Sequence, residues 1–189
     1  MKVMNNYSPI IKPINQQVKE KCWNYLKTHN LANRGEHDGN KENQLIGLLA
    51  EMETCFLLKD FYPDLNLKKN EFDGGFDIKH MNRTIDVKAM GRNFYTRSDY
   101  VNNFAKLQLK YKCDILLFTS VNKKTNYIEF CGWIWKKEIK ERAIFYEKGC
   151  ERPRGKDDTM ITTTDNYEIK NSNLRDIRYL LEINIQEMK

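Results

Sequence analysis

The chain has no Cys-x-x-Cys pair, no His-x-x-x-His pair and no long apolar run, and each absence excludes something. Its five cysteines, Cys22, Cys55, Cys113, Cys131 and Cys150, are odd in number and widely spaced. They read as reduced, mostly buried thiols of a cytoplasmic protein, not as a disulfide framework. The three histidines, His29, His37 and His80, are scattered, so a structural zinc site is not expected. The N-terminus lacks an apolar signal stretch and no run approaches membrane-spanning length, so neither secretion nor a membrane partner is expected. Without secretion, Asn82-Arg83-Thr84 carries no weight as a glycosylation acceptor. Internal repeats and low-complexity tracts are missing as well. What remains is a chain of 189 residues with net charge +6: long enough for one domain with its own core, and basic enough to bind a polyanion.

The most informative stretch runs from Asp73 to Lys88 and reads as a β-hairpin. With Met81 and Asn82 as a two-residue turn, His80 faces Arg83, Lys79 faces Thr84, Ile78 faces Ile85 and Asp77 faces Asp86. Side chains alternate along strands, so Asp73, Gly75 and Asp77 share a face with Asp86 and Lys88, while Phe76, Ile78, Ile85 and Val87 face a core. Carboxylates placed opposite each other repel, and a divalent cation between them answers that repulsion with the hard oxygen ligands it prefers. On this reading, removing Asp86 leaves metal-free stability unchanged or raised by roughly 0.2–1 kcal/mol.

Asp77 followed by Asp86-Val87-Lys88 resembles the catalytic core of the PD-(D/E)XK nuclease superfamily, with an acid at one strand and an acid-x-lysine triplet on the next. Gly47-Leu48-Leu49-Ala50-Glu51 resembles the glycine-then-glutamate helix of its Holliday-junction resolvase branch and of small phage-type nucleases. The resemblance covers roughly residues 40–135. It implies an α/β fold, a restriction-endonuclease-like core whose central mixed sheet is flanked by helices. It implies Mg²⁺ or Mn²⁺ held by Glu51, Asp77, Asp86 and the carbonyl of Val87, with Glu51, Asp77, Asp86 and Lys88 as the catalytic set. The bound ion would acidify a water and neutralise phosphate charge, and Lys88 would meet developing negative charge. The expected activity is phosphodiester hydrolysis by an endonuclease, with DNA the first choice of substrate and RNA the second. The alternatives are a non-cutting nucleic-acid-binding protein and a phage-type inhibitor on the same fold. Homodimer and monomer stay open. The Asn- and Lys-rich composition hints at an AT-rich genome such as a phage's, which would put the protein in a host cytoplasm.

Around this site the chain divides into an N-terminal helical extension (1–35), the nuclease core (36–148) and a strand/helix appendage of the same domain (149–189). Residues 1–14 read as extended or irregular. Asn15 is expected to cap a helix over 16–29 with Val18, Cys22, Trp23, Tyr25 and Leu26 on its apolar side. A loop over 30–40 carries Glu36, His37 and Asp38, more simply a solvated turn than a site. A second helix, 41–60, should bury Leu45, Leu48, Leu49, Met52 and Phe56. There Gly47 and Ala50 leave room for the hairpin, and Glu53 is a surface charge. Strands are expected at 65–69, 114–121, 127–135, 160–164 and 167–170, and helices at 103–112, 136–148 and from Leu174, the last capped by Asn173. The run 114–121 is continuously apolar and therefore central. Arg92, Arg97, Lys106, Lys110, Arg152 and Arg154 are the candidate phosphate contacts, with Lys123-Lys124, Lys136-Lys137 and Lys156 as lesser ones. Tyr95 and Tyr100 are candidates to stack on bases.

Overall fold

The run Ile115–Asn122 is buried at every position, as a strand covered on both faces must be. The computed structural model describes residues 7–29, 40–59, 66–67, 76–80, 83–153 and 158–180, and sets this run inside a six-stranded mixed sheet. The chain begins with strand β1 (Ile10–Pro13), helices α1 (Gln16–Thr28) and α2 (Lys41–Lys59), and strands β2 (Asn66–Leu67), β3 (Ile78–His80), β4 (Arg83–Arg92) and β5 (Val101–Ala105). It continues through β6 (Ile115–Asn122), β7 (Tyr127–Trp135), the one-turn helix α3 (Ile139–Arg142), β8 (Ile144–Tyr146), β9 (Glu151–Pro153), β10 (Thr159–Ile161) and β11 (Asn166–Lys170). The main sheet runs β1-β7-β6-β4-β3-β2, with β4 and β6 parallel and all other neighbours antiparallel. A smaller antiparallel sheet runs β5-β11-β8, and β9 with β10 makes a separate ribbon.

Alternation along the strands sorts their side chains into two cores. Ile85, Val87, Ile115, Leu117 and Ile128 pack with Val18 and Cys22 of α1 and Ile46, Leu49 and Ala50 of α2. Leu116, Phe118 and Ile134 point the other way, onto Phe104, Tyr167 and Ile169 of the small sheet. A parallel pair needs a connection that crosses the sheet. Between β4 and β6 that connection is a loop, β5 and a 3-10 turn at Lys106–Lys110, so it lays the small sheet over the second face. In the parallel register Asp86 lies beside Leu116 and Lys88 beside Phe118, which puts both polar residues on that covered face.

The helices form for local reasons. Asn15 accepts the N–H of Gln17 at 2.9 Å, capping α1, and Val18, Cys22 and Leu26 recur on its buried side. Asn40 accepts the N–H of Asn43 at 2.9 Å and starts α2. The buried stripe of α2 is wider than expected: Leu49 is inside and Leu45, Leu48 and Met52 are half-buried against the core, joined by Ile46, Ala50, Thr54, Leu57 and Leu58, while Phe56 is exposed, as is Trp23 on α1. Glu53 is not a surface charge. It is buried, accepts the N–H of Asn15 at 3.0 Å and so ties α2 to the start of α1, and that burial raises its pKa. Nor does Gly47 make room for the hairpin, since a Cβ there would meet nothing within 4 Å. The close approach is at Gly91 on β4, where a Cβ would stand 2.5 Å from Cδ1 of Ile46.

Two expected helices are each interrupted by a strand. Phe104, Leu107 and Tyr111 have helical spacing, yet Val101–Ala105 pairs with β11 and Leu107 is exposed. The segment 136–148 opens with a 3-10 turn at Lys136–Glu138 and the α-helical turn Ile139–Arg142, after which Ile144–Tyr146 also pairs with β11, as its aromatic, β-branched composition suits. In both places pairing with a distant strand overrides local periodicity. The first fourteen residues include a true strand, β1, on the edge of the main sheet. Of the strand expected at 65–69, Asn66–Leu67 is described. Residues 177–180 are helical, and the cap is Asp176, whose Oδ1 accepts the N–H of Arg178 at 2.8 Å, while the side chain of Asn173 donates to the carbonyl of Arg142.

Candidate active site

The β3–β4 hairpin has the register its turn implies: His80 pairs with Arg83, Lys79 with Thr84 and Ile78 with Ile85. Asp77 departs from the expected ladder. Instead of pairing squarely with Asp86, it donates its N–H to the carbonyl of Ile85 at 2.9 Å. Its Oδ2 accepts the N–H of Val87 at 2.7 Å. Val87 thus holds Asp77 through its N–H, a contact separate from the carbonyl expected to ligate a metal. One residue on, Lys88 Nζ stands 2.8 Å from Oδ2 of Asp86, with the two side chains only 19% and 10% exposed.

The carboxyl of Asp77 is held well above the usual carboxylate range, by burial first, then by the charges of Glu51 and Asp86, against a smaller opposing pull from the Val87 N–H and Lys88. Glu51 on α2, Asp77 before β3, and Asp86 and Lys88 on β4 thus form one electrostatic cluster. Phe104 and Cys113 also belong to it. The ammonium of Lys88 lies 5.8 Å from the centre of the Phe104 ring. Burial and the charge of Asp86 push the Cys113 thiol up to about 12, which makes it an unreactive neighbour. Sequence reasoning passed over both: no local pattern marks them, and only the crossover brings them there. Asp73 and Gly75, assigned to this face from the sequence, lie outside the described residues, as do Glu36, His37 and Asp38.

The raised pKa has a thermodynamic sign. The folded protein keeps the Asp77 proton at pH values where the unfolded chain, at about 3.9, has lost it. Its contribution to stability is full at low pH and is lost as pH rises through the folded-state pKa. In EDTA, the melting temperature of wild type minus that of Asp77→Asn should therefore fall with rising pH. Asparagine keeps the acceptor for the Val87 N–H and removes the charge. Parallel melting curves across pH for the two proteins would contradict the crowding of charge at this position.

The donor set is hard and anionic, which suits Mg²⁺ or Mn²⁺. Among the described residues, however, no three His, Cys, Asp or Glu side chains stand grouped ready to hold an ion. The fit is one of charge and donor type. Asp77 and Asp86 would hold such an ion, and Glu51 would join directly or through a water.

The candidate phosphate contacts fare unevenly. Arg92 turns inward, donating from Nη2 to the carbonyl of Val101 at 2.6 Å beside the Tyr100 ring, so it fastens the crossover loop. The guanidinium groups of Arg92 and Arg97 lie 5.7 and 4.9 Å from the centre of the Tyr100 ring, so a base stacking there would compete with them. Arg152 is held by Glu168 at 2.6 Å in a nearly buried pair. Arg97 is exposed and forks onto Asp99, Lys106 pairs with Asp165 at 2.9 Å, and Lys110 lies over the ring of Tyr111. Lys136, a lesser candidate, is buried and donates to the carbonyls of Gln108 and Tyr111. Arg154 and Lys156 lie outside the described residues. No helix among the described residues is long and apolar enough to cross a membrane. No family model, no curated protein and no solved structure matches this chain.

Proposed function

We propose that the protein is a divalent-metal-dependent nuclease built on a restriction-endonuclease-like core, acting on DNA in preference to RNA. The observation that carries this reading is the action of the Glu51 and Asp86 charges on the half-buried Asp77, held by the Val87 N–H, with Lys88 paired to Asp86. The charges of Glu51 and Asp86 acting on the Asp77 carboxyl weaken a fold unless a cation offsets them. A bound Mg²⁺ or Mn²⁺ would supply an acidified water and neutralise phosphate charge.

The chain's own residues do the rest. The Val87 N–H holds the carboxylate of Asp77, and the Ile85 carbonyl holds its N–H, which ties the residue at both ends to β4. Lys88 holds positive charge in a poorly solvated place, where charges act more strongly than in water. Phe104, buried beneath it, keeps water from the far side of the ammonium.

A second reading has its own support. The Asp86–Lys88 pair at 2.8 Å already neutralises one acid within the chain, which suits a protein that binds nucleic acid without cutting it. Cleavage of linear, branched and single-stranded DNA, and of RNA, with Mg²⁺, Mn²⁺ or EDTA separates the two. The nuclease yields products with metal and none in EDTA. The binder yields none in either, but its affinity still falls steeply along a salt series, because neutralised phosphates release counterions. A protein that neither cuts nor shows a salt slope has no nucleic-acid function.

A further inference from the structure

At the far end of β4 from the acids, the surface carries aromatic rings where solvent would favour polar side chains. Phe94 is 67% exposed, Tyr95 47% and Tyr127 36%. Tyr95 and Tyr127 meet edge to face with centroids 6.5 Å apart, and the ammonium of Lys124 lies 5.2 Å from the centre of the Phe94 ring. Lys123 beside it pairs with Glu42 at 3.2 Å.

The loop bearing Phe94 and Tyr95 is pinned. Thr96 donates its N–H to the carboxylate of fully buried Glu129 at 2.9 and 3.1 Å and its hydroxyl at 2.6 Å, and the Tyr7 hydroxyl joins Thr96 from the other side. Burying a carboxylate to hold an exposed loop is costly, and here it fixes the backbone at Thr96, next to two exposed aromatic side chains.

We propose that Phe94, Tyr95 and Tyr127, with Lys124, form a stacking platform for the unpaired bases of a single-stranded nucleic acid, which makes a single strand, or a duplex with an opened end, the substrate class of the candidate active site. Flat ring faces take bases of any sequence, and a lysine beside the ring reaches the phosphate between them. Bases inside a duplex offer no such faces. Tyr127 pairs across the sheet with Asn122, and Asn122 with Arg92, four residues along β4 from Lys88. With two strand spacings of about 4.8 Å across the sheet added to the rise along β4, Tyr127 stands about 16 Å from Lys88, a span of a few nucleotides. The assignment of substrate rests on the nuclease reading; the stacking itself does not.

The test measures binding in EDTA by fluorescence anisotropy, with a labelled oligodeoxynucleotide, its RNA counterpart, the matching duplex, and the same single strand with abasic sites. Wild type should prefer the single strand with bases, whichever the sugar. Phe94→Ala, Tyr95→Ala and Tyr127→Ala should each weaken that binding by about 5- to 150-fold, leave duplex binding unchanged, and Phe94→Tyr should restore it. Trp23→Ala, an exposed aromatic on α1, should have no effect. Equal binding of abasic and ordinary strands, or equal loss on Trp23→Ala, overturns the platform. So does a wild-type dimer in sedimentation that Phe94→Ala dissociates without changing strand binding, since the patch would then seat a second copy. Cleavage with Mg²⁺ is scored separately. Stacking without any cutting keeps the platform and removes the nuclease; cutting with no effect of the aromatic variants does the reverse.

Discussion

Asp86→Ala should reduce metal-dependent cleavage by more than about a hundred-fold, because loss of a mere outer partner of a metal ligand already costs ~10–100-fold and Asp86 would be a ligand itself. Its effect on metal-free stability tests the geometry independently. The facing acids alone suggest a small gain on removal, from relieved repulsion. The ion pair reverses that sign. Lys88 lies 2.8 Å from Asp86 with little solvent on either side chain, so alanine leaves a half-buried ammonium over the Phe104 ring. Breaking a buried pair costs about 3–5 kcal/mol, and relief of the Asp77 repulsion returns less than about 1 kcal/mol, so the metal-free protein should lose roughly 2–5 kcal/mol. Stabilisation by added Mg²⁺ should shrink as well, since a ligand stabilises the fold only while its site exists. Lys88→Met separates the roles: metal still stabilises, and turnover falls by about 10²–10³. Urea melts with and without metal, beside cleavage of one DNA, read all of this. Wild-type cutting by Asp86→Ala would end the nuclease reading.

The hairpin was legible because its information is local. A two-residue turn sets the register, and alternation then sorts Ile78, Ile85 and Val87 from Asp86 and Lys88. The buried strand at Ile115–Asn122 and its partner Tyr127–Trp135 were legible for the same reason: runs too apolar to be anything but interior. The failures share a cause too. Val101–Ala105 and Ile144–Tyr146 are strands because β11, tens of residues away, lies between them. Nothing in Phe104, Leu107 and Tyr111 reports that partner. Glu53 is an extreme case, as its burial depends on one amide of Asn15 that no helical period reveals.

The candidate site shows the same division. Residue types on the hairpin marked Asp77, Asp86 and Lys88, and the resemblance of Gly47-Leu48-Leu49-Ala50-Glu51 to the glycine-then-glutamate helix singled out Glu51, whose charge acts on Asp77. What lay beyond reach is the second layer. The crossover that returns the chain to a parallel β6 must cover one face of β4, and that face is the one with Asp86 and Lys88. Phe104 and Cys113 arrive with it. The same crossover turns Arg92 inward, so a residue that reads as a phosphate contact from its place after the acids is instead a clasp.

Gly132→Ala and Gly47→Ala should move stability in opposite directions, although both replace glycine by alanine. Gly132 sits where the register of β6 and β7 slips between Phe118 and Thr119, and it has φ of 139°, a region L-residues avoid. A Cβ there would stand 2.4 Å from the carbonyl oxygen of Arg175 and 2.8 Å from Cβ of Leu174. That neighbour cannot retreat cheaply. Arg175 exchanges both backbone hydrogen bonds with Trp133, at 3.0 and 2.9 Å, and the Trp133 indole donates to the carbonyl of Asp176 at 3.0 Å. Backbone strain of about 1–3 kcal/mol adds to overpacking of similar size, so Gly132→Ala should cost roughly 2–5 kcal/mol. Past the slip, β7 sets Glu129 opposite Ser120, and Glu129 holds the Thr96 loop, so the variant should also loosen the aromatic platform. Gly47 lies inside α2 with nothing within 4 Å of its absent Cβ, and alanine there should gain about 0.5–1 kcal/mol from helix propensity and a less free unfolded chain. Urea denaturation of the two variants measures both signs in one experiment. A Gly132→Ala protein as stable as wild type would mean that the Leu174–Arg175 segment does not close over the slip in β7, and the anchoring of Glu129 would have to come from elsewhere.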